Sequence, residues 1–440
     1  SLAYETLDRE QTHLRVRLLS LTNGKTAPLL EEEDPFWINV PDRINSSTRG
    51  GSLRFLKGGR FLWLSERSGF NHVYMASLAS PTLAPLTKGT WAVDAVVGVD
   101  EPSGYVYFTS TEKDPRERQM NRVRLDGTDF SRLTNEPGSH SGELSPNGQY
   151  IADTFSSLEA PPKVRLISPQ GKPQWVVDEP QSRLAEFDLP KTEFLDLVAA
   201  DGTRLFGALV KPPDFDPRKV YPVVVHVYGG PHAQQVRNRF TRPGSLEVLA
   251  SHGYLVWTLD NRGSWGRGHG FEAPIFKAMG RVELADQLEG VRYLKSVPYV
   301  EPSRIGITGW SYGGYMTLYA LTHSDVFKCA VAGAPVVDWK LYDTIYTERY
   351  MRTPQTNPEG YKTASPLLAA SKVHGRLLLI HGTADDNVHM YNTVNFVREL
   401  IKAGIPYELQ VGPGEKHGFH AKWTQDARDR ALISFFEKNL

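Results

Sequence analysis

Five residues constrain the fold of this chain more than any others: Gly309-Trp310-Ser311-Tyr312-Gly313. They follow the apolar run Ile305–Thr308 and open a stretch of helical periodicity over Gly313–Thr322. A G-x-S-x-G sequence between a strand and a helix forms a strained turn. Its glycines lie where the two backbones crowd, and its serine stands at the tip. Such a turn needs a mostly parallel sheet beneath it and helices packed on that sheet.

The surrounding pattern supplies both. Short apolar runs at Val223–Tyr228, Tyr254–Asp260, Ile305–Gly309, Ala330–Ala334, Leu377–His381 and Tyr407–Val411 have the length of buried strands. Between and after them, periodicity predicts helices over Leu284–Lys295, Gly313–Thr322, Tyr391–Ala403 and Thr424–Lys438. Upstream, Phe194–Val198, the turn Ala200-Asp201-Gly202 and Leu205–Val210 read as a hairpin. A hairpin feeding strands that alternate with helices predicts a mostly parallel sheet with helices on both faces. Residues 188–440 therefore read as an α/β-hydrolase domain.

Residues 1–187 follow a different pattern. Phe61–Ser65, Tyr105–Ser110 and Tyr150–Phe155 recur at intervals of about 45 residues, each after a Gly-containing turn. A polar loop and a second strand pattern follow each one, at His72–Met75, Arg122–Leu125 and Lys163–Leu166. Arg15–Leu18 begins the same pattern near the start. Leu86-Thr87-Lys88-Gly89 and Leu133-Thr134-Asn135-Glu136 recur as well. Units of this period with several strands each are the mark of β-propeller blades. About four are present, a low number for closure, which predicts the C-terminal part of a larger propeller.

Composition removes several function classes. Lys plus Arg and Asp plus Glu number 50 each, so the formal net charge of zero gives nucleic acid or an anionic membrane no electrostatic footing. No apolar run approaches the roughly 20 residues of a membrane span. The single cysteine, Cys329, sits in the apolar run Val326–Val331 and reads as a small buried hydrophobe, with no intrachain disulfide possible. Ser1-Leu2-Ala3-Tyr4 carries no leader pattern and reads like the middle of a longer chain, and a periplasmic or secreted location is not separated from a cytoplasmic one. No metal and no cofactor is expected.

A serine hydroxyl is a poor nucleophile at neutral pH. It needs a base, and the base needs an orienting carboxylate. In this fold the chain order is serine, acid, histidine. The acid belongs just past a late strand, here the turn Gly382-Thr383-Ala384-Asp385-Asp386-Asn387-Val388. Two aspartates compete there. The D-x-x-V spacing favours Asp385, while Asp386 reads as a helix cap or a solvated residue. The base belongs on the loop after the last strand, where Gly412–Phe419 offers His417, with His420 as competitor. His381, beside the acid turn, reads as structural. The developing oxyanion takes the backbone N–H of the residue after the nucleophile, Tyr312. A second donor belongs to Val227-Tyr228-Gly229-Gly230-Pro231, where Tyr228 is the side chain able to donate; an aromatic at a strand end is as readily a core residue.

Three stretches resemble the prolyl oligopeptidase family: Gly309–Tyr315, His381–His389 and Trp339–Met351. The dipeptidyl peptidase IV branch looks closest, above all at Tyr342–Met351. The resemblance implies a serine peptidase in which Ser311, Asp385 and His417 form the triad and Tyr228 is the oxyanion tyrosine. It implies that Tyr312, Val336, Trp339, Tyr342, Tyr346 and Val388 line an apolar pocket for the residue before the scissile bond, usually proline. Asn387 matches the amide that hydrogen-bonds a substrate carbonyl. A ring of aromatics suits a flat, rigid pyrrolidine and offers little to a charged side chain. The implied substrate is a peptide with a free N-terminus. The implied reaction releases N-terminal dipeptides or tripeptides by cleavage after proline, less well alanine, through an acyl-enzyme on Ser311. The resemblance also leaves room for a homodimer.

The family reads the substrate's amino terminus with two glutamates on an early propeller segment, and this sequence offers no counterpart. Glu31-Glu32-Glu33, before Asp34-Pro35-Phe36-Trp37, reads as a solvated acidic turn. An acylaminoacyl-type peptidase or an esterase on the same scaffold is the alternative enzyme, against which the Trp339–Tyr350 stretch argues. A propeller interaction protein with a dead hydrolase domain has no use for a complete set of nucleophile, acid, base and oxyanion donors.

Overall fold

Short strands with alternating burial build the first part of the chain. The computed structural model describes residues 1–39, 52–179 and 186–440. Strands β1 (Leu2–Leu7), β2 (His13–Leu19) and β3 (Thr26–Glu33) form a three-stranded antiparallel sheet. Three four-stranded antiparallel sheets follow. The first holds β4 (Leu53–Phe55), β5 (Arg60–Ser65), β6 (His72–Ser77) and β7 (Ala84–Pro85). The second holds β8 (Val93–Asp100), β9 (Tyr105–Ser110), β10 (Gln119–Arg124) and β11 (Ser131–Arg132). The third holds β12 (Ser139–Leu144), β13 (Ile151–Ser156), β14 (Lys163–Ile167) and β15 (Pro173–Asp178). Within each sheet the strands pair in chain order, as in propeller blades. The recurring sequence segments occupy equivalent places: β5, β9 and β13 second, β6, β10 and β14 third. Neighbouring sheets share apolar cores. Leu62, Leu64 and Val73 pack with Val93, Val106 and Phe108, and Val97 and Tyr107 pack with Ile151 and Ile167.

The acidic triplet departs from expectation. Glu31-Glu32-Glu33 is no solvated turn but the end of β3, where successive side chains point to opposite faces. Glu31 and Glu33 are exposed. Glu32 is 8% exposed and accepts hydrogen bonds from Trp63 Nε1 at 2.6 Å and Arg67 at 2.7 Å.

The second part of the chain is a single large sheet. Its strands are β16 (Lys191–Val198), β17 (Arg204–Lys211), β18 (Tyr221–His226), β19 (Leu255–Asp260), β20 (Val300–Trp310), β21 (Cys329–Gly333), β22 (Arg376–Gly382) and β23 (Glu408–Gly412). They lie in the order β16-β17-β19-β18-β20-β21-β22-β23. β16 and β17 form the expected hairpin at one edge and pair antiparallel; β18 to β23 pair parallel. The helices are α1 (Ser245–Ser251), α2 (His269–Glu272), α3 (Arg281–Ser296), α4 (Tyr312–His323), α5 (Thr344–Met351), α6 (Pro358–Thr363), α7 (Tyr391–Lys402) and α8 (Lys422–Asn439). Val224, Val256, Cys329, Val331, Leu378 and Ile380 pack on one face against Leu249 and Ala250 of α1 and Phe435 and Phe436 of α8. Residues between them, such as Val223, Val225, Ala330 and Ala332, point to the other face and are as deeply buried. On that face α4 packs on β20 and β21, and α3 on β20. Double coverage is why these strands read as continuous apolar runs. This is an α/β-hydrolase sheet.

Two compact units result. One comprises Ser1–Arg183 with Arg237–Thr241 and Trp265–Glu272, so α2 belongs to it; the other comprises Leu184–Val236, Arg242–Ser264 and Ala273–Leu440. Among the described residues no helix is long and apolar enough to cross a membrane.

Candidate active site

From β18 the chain moves to β19 on one side and then to β20 on the other. The sheet order therefore reverses between β18 and β20. Open α/β sheets bind ligands in the crevice outside the carboxyl ends of strands at such a point. The candidate residues gather there by position. Tyr228 follows β18, Ser311 follows β20, Asp385 follows β22 and His417 follows β23.

Ser311 sits between β20 and α4 with φ 61° and ψ −117°, a left-handed conformation that a non-glycine residue adopts only when its surroundings force it. The crowding is measurable. A Cβ on Gly309 would lie 2.3 Å from Val227 O, and one on Gly313 would lie 2.2 Å from the same oxygen. Only glycine lets the elbow settle against the end of β18. Ser311 N–H donates to Gly333 O at 2.9 Å, and the half-buried side chain stands at the start of α4.

Asp385 is buried, at 6% exposure, while Asp386 is exposed and pairs with Lys416 at 2.8 Å. Asp385 Oδ1 accepts the N–H groups of Asn387 at 3.0 Å and Val388 at 2.9 Å. Its Oδ2 lies 2.8 Å from His417 Nδ1 and 3.1 Å from His381 Nε2. Burial pushes this carboxyl up, but hydrogen bonds from His381, His417 and Asn387 outweigh it and hold it well below the usual carboxylate range. His381 is fully buried, and its tautomer follows from its partners. Nε2 faces two acceptors, Asp385 Oδ2 and Val388 O at 2.8 Å, so Nε2 carries the proton and Nδ1 accepts from Thr393 Oγ1 at 2.7 Å.

The loop bearing His417 is tied down from both ends. Glu415, 7% exposed, accepts from the N–H groups of His420 at 2.8 Å and Ala421 at 3.2 Å and from Thr424 Oγ1 at 2.5 Å. Its own carbonyl accepts Ala384 N–H at 2.9 Å, fastening this loop to the acid turn. Trp310 Nε1 donates to His417 O at 2.8 Å, fastening it to the elbow. His420, the competing base, is exposed.

Aromatic rings form a continuous cluster beside Ser311. Tyr312 lies 5.3 Å from Trp339 and 6.1 Å from Tyr228, centroid to centroid. Trp339 lies 5.9 Å from Tyr342 and 6.2 Å from Tyr346, which it meets in a stacked arrangement. Val336 and Val388 are buried. Tyr342 OH donates to Asn387 Oδ1 at 2.9 Å, which leaves the Asn387 amide NH₂ as the end able to donate to a carbonyl. Burial pushes the Tyr228 phenol up, so its hydroxyl stays a donor.

Sequence reasoning missed Glu415 and Glu283. Glu283 is fully buried and accepts Tyr312 OH at 2.7 Å. Glu415 lies on a loop and Glu283 just before the helix expected from Leu284; glutamates are mostly exposed, and no local signal marks these two as buried. Within the other compact unit, Glu66, His269 and Glu272 each bring one ligand atom within 4.8 Å of the others, a set able to hold a metal ion. Asn39 Nδ2 donates to both carboxylates at 2.8 Å, and Asp34 Oδ1 lies 3.2 Å from His269 Nε2. Burial pushes the imidazole down, but the hydrogen bond from Asp34 and the charges of Glu66 and Glu272 outweigh it and raise its pKa.

Residues 240–440 match the prolyl oligopeptidase family, and residues 1–162 match the dipeptidyl peptidase IV (DPP IV) N-terminal region. The chain belongs to the prolyl oligopeptidase family. The chain is similar to human dipeptidyl peptidase 8, at 33% identity over 99% of this chain and 55% of that protein. A protein of Emericella nidulans named probable dipeptidyl-aminopeptidase B is 38% identical over 95% of this chain and 48% of its own length. The crystal structure of Porphyromonas gingivalis dipeptidyl peptidase 4 superposes with a TM-score of 0.94 at 33% identity, covering 100% of this chain and 62% of that one. The chain thus spans about half the length of the curated relatives it matches.

Proposed function

We propose that this chain carries the catalytic machinery of a serine exopeptidase that releases N-terminal dipeptides by cleaving after proline and, less well, after alanine. The observation that carries this reading is the 2.8 Å contact between His417 Nδ1 and Asp385 Oδ2, on a loop fastened by Trp310 to the strained Ser311 elbow. Names of relatives as dipeptidyl peptidases favour dipeptides over tripeptides. In the same reading, residues 1–187 are the C-terminal blades of a larger propeller and residues 188–440 the catalytic domain. Self-association of the full-length protein as a homodimer stays an expectation, which sedimentation velocity tests directly.

The chemistry follows from the side chains. Ser311 Oγ attacks the carbonyl carbon of the residue in the aromatic pocket, and its proton passes to His417 Nε2. Asp385 holds Nδ1–H and stabilises the imidazolium. The tetrahedral oxyanion takes the N–H of Tyr312 and the hydroxyl of Tyr228. His417 returns the proton to the departing amine nitrogen as the C–N bond breaks. Water, deprotonated by His417, then hydrolyses the Ser311 acyl ester, and the proton returns to Oγ. The Asn387 amide orients the substrate by donating to one of its carbonyls.

The test uses the full-length protein. A fluorophosphonate probe should label wild type and not Ser311→Ala, and Gly-Pro amides should be hydrolysed faster than Gly-Ala amides, with Gly-Lys amides ignored. Preference for lysine, or hydrolysis of simple acyl esters with all three amides untouched, would overturn the proline reading in favour of the acyl-peptidase or esterase alternative.

A further inference from the structure

Tyr312 serves two tasks in the proposed peptidase reaction, and the role of its partner Glu283 rests on that reaction. The backbone N–H of Tyr312 faces the oxyanion, and its ring forms a wall of the proline pocket. Any tilt of that ring disturbs both. The phenol is 3% exposed and its hydroxyl donates at 2.7 Å to Glu283 Oε1, on the first turn of α3.

Glu283 is an unusual residue to find there. It is fully buried, and among the described residues no hydrogen-bond partner meets its buried Oε2. A carboxyl in that state is costly to the fold, and an apolar residue of similar size would serve packing as well or better. Burial pushes its pKa up to about 7, against the pull of N–H groups at Gly280 and Glu283 and of Tyr312 OH. Two of its polar neighbours have other partners. Asp286 is taken up by Arg262 at 2.6 Å, and Tyr315 OH donates to Met279 O at 3.1 Å. The start of α3 is locked against α4. Gly280 has φ 88°, and a Cβ there would lie 2.3 Å from Tyr315 OH. A rigid turn thus brings the carboxyl to the Tyr312 hydroxyl, on the residue next to the nucleophile. The Tyr312 ring is also braced by Tyr315 at 5.2 Å and Trp339 at 5.3 Å, so loss of the hydrogen bond would shift the ring within its cage rather than release it.

We infer that Glu283 is a positioning residue for the peptidase reaction: by holding the Tyr312 hydroxyl it sets the pocket wall that selects proline. It touches no substrate and acts through Tyr312 alone. Proline fills the pocket and depends on the wall, whereas alanine reaches less of it.

The experiment measures kcat/KM for matched Gly-Pro and Gly-Ala amides on full-length wild type, Glu283→Leu, Glu283→Gln, Tyr312→Phe and the Glu283→Leu/Tyr312→Phe double variant, with melting temperatures as a folding check. Glu283→Leu should lower the proline-to-alanine ratio by roughly 5–10-fold. Glu283→Gln, which keeps an acceptor oxygen, should recover most of the loss. In the Tyr312→Phe background Glu283→Leu should add nothing, since the bond it removes is already gone. An unchanged ratio in Glu283→Leu, or effects that multiply in the double variant, would overturn the positioning role. Should Glu283→Leu fail to fold, Tyr312→Phe carries the test alone, and a wild-type ratio there overturns it. A wild type that ignores Gly-Pro amides overturns both this role and the peptidase reading. A wild type that cleaves them while the variants keep its ratio overturns the role alone.

Discussion

His417 Nδ1 lies 2.8 Å from Asp385 Oδ2, and that oxygen also receives His381 Nε2 at 3.1 Å. The aspartate is therefore clamped between two imidazoles and two backbone N–H groups before any substrate arrives. A carboxylate with four donors has little freedom to reorient, so His417 is held in one ring orientation.

Asp385→Asn should cost on the order of 10⁴ in kcat, because an amide cannot stabilise the imidazolium and would favour the wrong tautomer. Asp386, exposed and paired with exposed Lys416, should tolerate the same change within about 3-fold. Steady-state kinetics of both variants on a Gly-Pro amide decide the matter, and a larger loss for Asp386→Asn would reverse the assignment.

Tyr228→Phe should lower kcat by ~10²–10³ with little change in KM, as expected of a donor used only in the transition state. Its ring, 6.1 Å from that of Tyr312, keeps its packing in the variant. A change confined to KM would make Tyr228 a packing residue.

Tyr346→Ala should widen the pocket by removing the ring stacked on Trp339 at 6.2 Å. Proline substrates should lose ~10–200-fold in kcat/KM and alanine substrates clearly less. Equal losses on Gly-Pro and Gly-Ala amides would place Tyr346 outside the specificity pocket.

Glu283 makes stability depend on pH. Its carboxyl is raised by burial from 4.5 to about 7 in the folded chain. Between those values the unfolded chain has lost a proton that the folded chain keeps. The stabilising contribution is complete below pH 4.5 and is lost as pH rises through about 7, by ~3 kcal/mol at most. Glu283→Gln does not titrate. The melting temperature of wild type relative to this variant should therefore fall as pH rises from about 5 to 8, and a flat difference would show that the carboxyl does not titrate in that range.

Much of this protein was legible in its sequence because the signals were local. The elbow announces itself through two glycines around one serine. The runs at Val223–Val225 and Leu377–Ile380 are apolar because both faces of their strands are covered, and each became a strand of the sheet. The repeat of about 45 residues placed β5, β9 and β13 correctly, since each blade meets only its neighbours. Helix α5 was not foreseen. Its Tyr346, Tyr350 and β-branched Thr344, Ile345 and Thr347 weaken any helical signal, and its start depends on Asp343 accepting Tyr346 N–H at 2.8 Å.

Burial of acids was decided elsewhere. Glu32 reads as one of three solvated glutamates, yet strand parity turns it inward onto Trp63 and Arg67, which lie some thirty residues on. Glu283 stands just before the helix expected from Leu284 and carries no signal of its own, yet it is fully buried and holds the hydroxyl of Tyr312 at the start of α4. A short segment carries its own periodicity and turn chemistry, so sequence alone determined the strands, the elbow and the order along the chain of the candidate serine, acid and base. Whether a charged side chain meets water or another chain segment depends on what folds over it. The tertiary structure therefore decided which glutamates are buried, and which tyrosine one of them holds.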